Sequence, residues 1–94
     1  MKKGQIRARI AHLEADYKSQ KSAHMKVCVI ADMVELAQYI LEQELEESYD
    51  YIEGMLMWSE HAIGEVQPML DDYETLMELE SLEECVNDMY CEIY

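Results

Sequence analysis

Apolar residues recur at helical spacing from the beginning of the chain. Steps of four and three residues place such side chains on one face of an α-helix. The pattern therefore predicts an amphipathic helix over residues 3–20, and the polar residues 19–22 predict a break after it. The apolar residues that define this helix are Ile6, Ile10, Leu13 and Tyr17.

The segment from about residue 23 to residue 47 is the most apolar part of the chain. Two neighbouring apolar stripes run along it and form a wide apolar face. A helix with such a face contacts other elements on two sides, so we expect it at the centre of the fold. Ser22 is placed to cap its N-terminus. The two stripes are Val29, Met33, Leu36 and Ile40, and Ile30, Val34, Ala37, Leu41 and Leu45.

A third helical segment follows Ser48, which can serve as its N-cap. Apolar residues keep a helical spacing as far as Val66, although Gly54 and Gly64 each weaken a helix by about 1 kcal/mol relative to alanine. Pro68 is the only proline of the chain. It predicts that this helix ends near residue 67 or that the next helix begins there.

The last segment, residues 69–94, again places its apolar side chains at helical spacing. Ser81 and Glu84 have the spacing of a capping box, which favours a new helix near Ser81, while one continuous helix fits almost as well. The sequence therefore predicts an all-α fold, a small compact bundle of four helices, or of five if this segment divides. We expect one domain over residues 1–94, with a basic helix at about 3–20 and an acidic helical body over 23–94.

The two signs of charge are separated along the chain. Residues 1–26 contain all seven lysines and arginines and only two acids, which gives that part a charge of +5. Residues 27–94 contain 19 acids and no lysine or arginine, so the whole chain carries −14. Self-repulsion of this size destabilises a compact fold. We expect salt, a cationic partner or the basic first helix to relieve it.

An acidic surface has a solubility explanation and a functional one. Solvated helices usually interleave both signs, because opposite charges four residues apart stabilise a helix. None of the acids after residue 27 can pair in this way with a lysine or arginine. We therefore interpret the distribution as a selected anionic surface that binds a basic partner protein, itself a nucleic-acid-binding protein.

Two mechanisms can use such a surface. Carboxylates on a rigid scaffold can act as a DNA mimic that occupies and inhibits the cleft of a nucleic-acid-binding protein, or they can dock on any basic patch. Small acidic proteins that phages and plasmids encode against host nucleases and defence complexes use the first mechanism. That comparison rests on size and charge, and no motif ties this chain to one of those families. Repulsion argues against direct binding of nucleic acid or of an anionic membrane.

The residues that we expect to contact the partner are acids and aromatic anchors. Methionine and tyrosine are more abundant than a small core needs, and Met, Tyr and Trp are favoured at binding surfaces. The expected acids are Glu42, Glu46, Glu47, Asp50, Glu53, Asp71, Asp72, Glu74, Glu83, Glu84 and Asp88. The expected exposed anchors are Tyr49, Tyr51, Trp58, Tyr90 and Tyr94.

The basic first helix has more than one interpretation. It can pack across the acidic helices of its own chain and offset their repulsion. It can also contact the acidic body of a second copy through Arg7, Arg9 and Lys18. In that case the protein is a homo-oligomer with a structural or adaptor role, which is the alternative function.

The sequence offers little support for catalysis or for a metal or cofactor site. It contains no phosphate-binding glycine loop, nucleophile elbow or HExxH motif. Cys85 and Cys91 are too widely spaced for a zinc clip. His61 and Glu65 lie one helical turn apart, and such a pair is more often a surface pair than a general base with its orienter. We therefore expect a protein that is not an enzyme and has no cofactor.

The cysteines and the apolar runs bear on location. The chain has three cysteines, an odd number, and its basic N-terminus is not followed by the apolar region of a signal peptide. No apolar run approaches the length that spans a bilayer. These features predict a cytoplasmic protein with free thiols.

Overall fold

The computed structural model describes residues 3–43 and 49–94. These two ranges form four α-helices and one short 3₁₀ turn, and they contain no strand. The all-α bundle of four helices is therefore confirmed. The helices are α1 (Lys3–Ser19), α2 (Ala23–Glu42), α3 (Tyr49–Val66) and α4 (Tyr73–Ile93), and the 3₁₀ turn is Gln67–Met69.

The last segment contains one continuous helix, so the alternative of a fifth helix near Ser81 is not supported. Ser81 and Glu84 both lie inside α4 and are exposed. The helix begins after Asp72, whose carboxylate accepts a hydrogen bond from the backbone N–H of Thr75 at 2.9 Å. A capping box serves the unpaired N–H groups at a helix start. In a helix interior these groups already have partners.

Most other helix boundaries agree with the sequence pattern, but α2 ends at Glu42, about five residues before the predicted end near residue 47. α2 begins directly after Ser22, which has the extended backbone of an N-cap but makes no side-chain capping bond. α3 ends at Val66, and Pro68 lies in the 3₁₀ turn that follows. Ser48, Leu45 and the rest of residues 44–48 lie outside the described residues.

α2 is the central helix, as its two apolar stripes predict. It contacts α1, α3 and α4, and one continuous core includes side chains from all four helices. Leu41, near the end of α2, is only partly buried and packs at the edge of this core. The members of the two stripes that are buried are Val29, Ile30, Met33, Val34, Leu36, Ala37 and Ile40.

The basic helix α1 is attached to the body by apolar and aromatic contacts. Its apolar stripe packs on α2, with Ile6, Leu13 and Tyr17 buried. The Arg7 Nε donates a hydrogen bond to the Tyr51 hydroxyl at 2.7 Å, and the guanidinium lies 5.6 Å from the centre of that ring. Between the described side chains, no lysine or arginine lies within ion-pair distance of a carboxylate. The expected offset of the repulsion by direct pairing is therefore not found there.

Candidate partner-binding surface

The helix α4 carries seven acids. All seven are accessible to solvent. Four of them, Glu80, Glu84, Asp88 and Glu92, follow at four-residue steps and are therefore neighbours along one side of the helix. We name these four the acid row. At a rise of about 1.5 Å per residue, its members are about 6 Å apart along the axis and span about 18 Å.

The acid row carries a cost for the helix that contains it. Like charges four residues apart destabilise a helix by about 0.2–0.5 kcal/mol per pair. The row contains three such pairs in succession, and α4 has no lysine or arginine anywhere along its length. Local helix stability therefore does not explain why these positions are acidic.

A groove lies where the C-terminal part of α4 meets the C-terminal part of α2. Its volume is about 450 Å³. Leu41 and Met89 supply apolar surface, while Glu42, Asp88 and Glu92 supply carboxylates. Gln38 and Cys85 complete the lining. We name this feature the acidic groove, and it adds Glu42 of α2 to the last two members of the acid row.

The backbone strengthens the negative field of the acidic groove. α2 ends at Glu42 and α4 ends at Ile93, so the groove lies beside the negative ends of two helix dipoles. Neither last turn contains a basic residue. An exposed acid at such an end costs about 0.3–1 kcal/mol, because it faces carbonyl groups that have no intrahelical partner. A cation placed in the groove would be attracted by the dipoles and by the carboxylates together.

The acids at the other end of α4 have a structural explanation. Asp71, Asp72 and Glu74 lie at its N-terminus, where negative charge stabilises a helix. The side-chain and backbone hydrogen bonds from Thr75, with a further contribution from His24, lower the pKa of Asp72 to about 2. His24 Nε2 lies 2.8 Å from the Asp72 carboxylate. These three predicted contact residues therefore have a role in folding that the acid row lacks.

The remaining predicted acids are distributed over three places. Glu83 and Glu84 are exposed on α4, and Glu84 belongs to the acid row. Asp50 lies in the first turn of α3, and Glu53 is close enough to the Tyr94 hydroxyl to raise the pKa of that tyrosine. The structure thus brings Glu42, Glu84 and Asp88 into one surface with Glu80 and Glu92. Glu46 and Glu47 lie outside the described residues.

Sequence reasoning omitted two members of this surface, Glu80 and Glu92. A signal for them was present, because both continue the four-residue spacing of Glu84 and Asp88. The four-residue spacing places these acids on one side only if α4 is a single continuous helix. A break at Ser81 would have removed Glu80 from the row.

Three of the five expected aromatic anchors are not fully exposed. Tyr49 and Tyr94 are exposed, whereas Tyr51, Trp58 and Tyr90 are partly buried and pack against the core. The prediction of exposure is therefore wrong for these three. The Trp58 ring, for example, meets the buried Tyr17 edge-on, with 5.1 Å between the ring centres.

Two tyrosines donate hydrogen bonds to carboxylates of α3. The Tyr17 hydroxyl donates to Glu65 at 2.9 Å, and the Tyr90 hydroxyl lies 3.4 Å from Glu60. A tyrosine hydroxyl is neutral at pH 7, so it pairs with a carboxylate without cancelling its charge. The partners are far apart in sequence, so the sequence alone gave no sign of these pairs. They account for part of the tyrosine content of a chain that has no lysine or arginine after residue 26.

These hydrogen bonds predict a loss of stability at alkaline pH. Burial, together with the hydrogen bond to Glu65 and its charge, raises the pKa of Tyr17 from 10.0 to about 12. The folded state therefore holds this proton more tightly than the unfolded state does. The contribution is complete below pH 10 and is lost as pH rises to about 12. Urea unfolding measured across this range should show the decline.

Replacement of Tyr17 by phenylalanine should make that decline shallower, because the group whose pKa differs most is gone. Burial and Glu60 also raise the pKa of Tyr90, so part of the decline should remain. Tyr39→Phe serves as the control, since Tyr39 is exposed on α2. An unchanged pH dependence in Tyr17→Phe would contradict the assignment.

The described residues offer no other arrangement typical of a site. No group of three or more His, Cys, Asp or Glu side chains among them is placed to hold a metal ion. His61 and Glu65 are 3.7 Å apart, with side chains 82% and 49% exposed. Cys28, Cys85 and Cys91 are free and exposed. None of the helices in this part of the chain is long and apolar enough to cross a membrane.

Comparison with known proteins adds no relative to this picture. No protein-family model, curated protein or solved structure matches the chain. The charge, shape and contacts of the described residues are the basis of the functional interpretation.

Proposed function

We propose that this protein binds a basic partner protein through the acid row and the acidic groove, and that it thereby occupies or inhibits the partner. One observation carries the proposal. Three carboxylates from two helices, Glu42, Asp88 and Glu92, line one groove beside two helix C-termini. The sequence near them supplies no lysine or arginine, so the counter-charge has to come from outside this surface.

The groove suits a lysine or arginine side chain. These side chains have an apolar stem and a charged end, and they bury the stem along apolar surface when they can. Leu41 and Met89 offer such surface, and Glu42, Asp88 and Glu92 offer acceptors for the charged end. Hydrogen bonds between ionised groups are about twice as strong as neutral ones. A flat solvated acidic face would lack the apolar component.

The charge density of α4 supports a partner that normally binds nucleic acid. Its 21 residues extend over about 31 Å and carry seven acids, or one charge per about 4.5 Å. One strand of DNA carries a charge per about 3.4 Å of axis. A single helix of this protein therefore approaches the linear charge density of a nucleic-acid strand. Lysines and arginines arranged for phosphates can meet such a row.

The test is affinity capture with a matched variant. The immobilised protein is incubated with cell lysate at low salt, bound proteins are eluted by rising salt, and they are identified by mass spectrometry. The control bait carries Glu42→Gln, Asp88→Asn and Glu92→Gln, which remove the charge and keep the shape. We expect basic nucleic-acid-binding proteins on the native bait that are lost from the variant and displaced by added DNA. Equal capture by both baits would overturn the proposal.

Self-assembly through α1 is the second candidate. Arg9 and Lys18 are exposed, and among the described residues they form no ion pair with a carboxylate. They are therefore available to the acid row of another copy. Light scattering across a salt series distinguishes the two functions. Self-assembly predicts an oligomer that dissociates at high salt and in the double variant Arg9→Gln/Lys18→Gln.

A further inference from the structure

A second surface feature, at the start of α4, is apolar. Eight large apolar side chains are exposed in the described part of the chain. Three of them, Met69, Tyr73 and Met77, fall within nine consecutive residues, and Tyr73 is 75% exposed. Clustered exposed apolar residues mark interaction sites in soluble proteins, whereas scattered ones need no explanation. Methionine in particular adapts to differently shaped partners.

Two of these side chains, Tyr73 and Met77, border a hollow of about 300 Å³ between the 3₁₀ turn and α4. Tyr73, Leu76 and Met77 line it with apolar and aromatic surface. Glu80 and Glu83 also line this hollow. Since Glu80 is the first member of the acid row, the hollow and the row form one continuous surface. The hollow is therefore apolar at one end and leads directly into negative charge.

We propose that this hollow, which we name the anchor site, receives one large apolar side chain from an amphipathic basic helix of the partner. The inference rests on the proposed function, because it specifies which element of the basic partner is bound. Charge complementarity identifies the occupant. An apolar side chain that enters the anchor site brings its neighbours next to Glu80 and Glu83, where only cations are favourable.

The spacing of the surface defines the partner helix. Met77 precedes Glu80 by three residues, and the acid row then continues at four-residue steps. A second helix that lies along α4 advances by the same rise per residue, so its own four-residue steps remain in register. The partner helix therefore presents, on one face, a large apolar residue followed by lysines or arginines at steps of three or four residues.

Two synthetic peptides test this directly. The anchored peptide is a helix with one leucine followed by lysines at four-residue steps on the same face. The anchorless peptide has alanine in place of that leucine and is otherwise identical. Binding of both peptides to the native protein, Met77→Ser and Met57→Ser is measured by calorimetry at low salt. Met57→Ser is the matched control, because Met57 is 58% exposed on α3 and Met77 is 43% exposed on α4.

We expect Met77→Ser to weaken the anchored peptide about tenfold, since a buried apolar contact is lost, and to leave the anchorless peptide within about twofold. Met57→Ser should leave both unchanged. Thermal unfolding of each variant shows that the fold is retained. Equal effects on the two peptides, or no effect on either, would overturn the anchor site while the proposed function stands.

Two other results would also decide against it. If neither peptide binds the native protein at low salt, the proposed function fails and the anchor site fails with it. If sedimentation shows a dimer of the native protein that Met77→Ser dissociates, the hollow is occupied by a second copy of this chain. The anchor site is then a self-association contact, and the partner-helix proposal is wrong.

Discussion

Replacement of Glu84 by lysine is expected to stabilise the folded protein and to weaken its binding of the anchored peptide. Glu84 is exposed, and Glu80 and Asp88 lie four residues to either side of it. The substitution converts two repulsive pairs into attractive ones, which is worth about 1 kcal/mol in total. It also places a positive charge in the middle of the acid row. We expect this reversal to reduce peptide affinity about tenfold.

The combination of the two effects is the informative result. Urea unfolding measures the stability and calorimetry measures the affinity, with the same preparations at the same low salt. Asp32→Lys is the control, because it changes the net charge equally, is exposed on α2, and lines neither the acidic groove nor the anchor site. Asp32→Lys should change the affinity for the anchored peptide by less than about twofold, because distant charges act only through the screened electrostatic field of the whole protein. Equal weakening by both substitutions would show that the net charge of the protein matters and the acid row does not.

A gain in stability with a loss of binding would show that the acid row exchanges helix stability for affinity, a trade-off that is common at functional sites. Lysine at these positions would stabilise the helix, so helix stability does not explain the acids. The same reasoning applies to Glu42, Asp88 and Glu92, which lie near helix C-termini that negative charge destabilises. It does not apply to Asp72, which caps α4. The acids of the row and the groove therefore support the proposed binding function, whereas the N-terminal acids of α4 have a structural role.

Replacement of Leu56 by alanine is expected to cost about 3 kcal/mol of the free energy of unfolding. Leu56 is 0% exposed in the continuous core, and Leu→Ala substitutions at such sites cost about 2–5 kcal/mol. Small domains have only about 5–15 kcal/mol in total, and a net charge of −14 reduces that further. Urea unfolding monitored by circular dichroism measures the change. Urea is suitable because it is uncharged and does not screen the acids.

Added sodium chloride should distinguish the stability lost to the cavity from the stability lost to repulsion between the acids. Salt screens the repulsion between the acids but does not refill the space left by Leu56. We therefore expect salt to raise the stability of the native protein and of Leu56→Ala by the same increment. Met57→Ala, at the exposed neighbouring position, should stay within about 0.5 kcal/mol of the native protein. If salt stabilised the native protein but not Leu56→Ala, the two contributions would not be independent and the prediction would be wrong.

Much of the fold could be predicted because helical periodicity is a local property. The stripe from Ile6 to Tyr17 predicted α1 and its buried face, and the two stripes of α2 predicted its central place. Helical periodicity could not decide whether the last segment forms one helix or two. A capping box is also local, whereas continuity through Ser81 depends on packing. Leu79 and Val86 are both buried, and they keep one apolar face on either side of it.

The candidate site was only partly accessible from the sequence. The absence of lysine and arginine after residue 26 predicted an anionic body and identified Glu42, Glu84 and Asp88 among other acids. It did not distinguish acids with a structural role, such as Asp72, from those without one. It also left out Glu80 and Glu92, and it predicted exposure for rings that pack against the core. Each of these distinctions depends on neighbours that are not adjacent in the chain.

The sequence by itself determined the sign and amount of charge, the all-α class, and which helix is central. These properties depend on composition and on spacing within a single helix. Only the tertiary structure decided that Glu42 lines a groove with Asp88 and Glu92, and that Tyr17 donates to Glu65. Such contacts join different helices, and their geometry follows from how the apolar faces pack around α2.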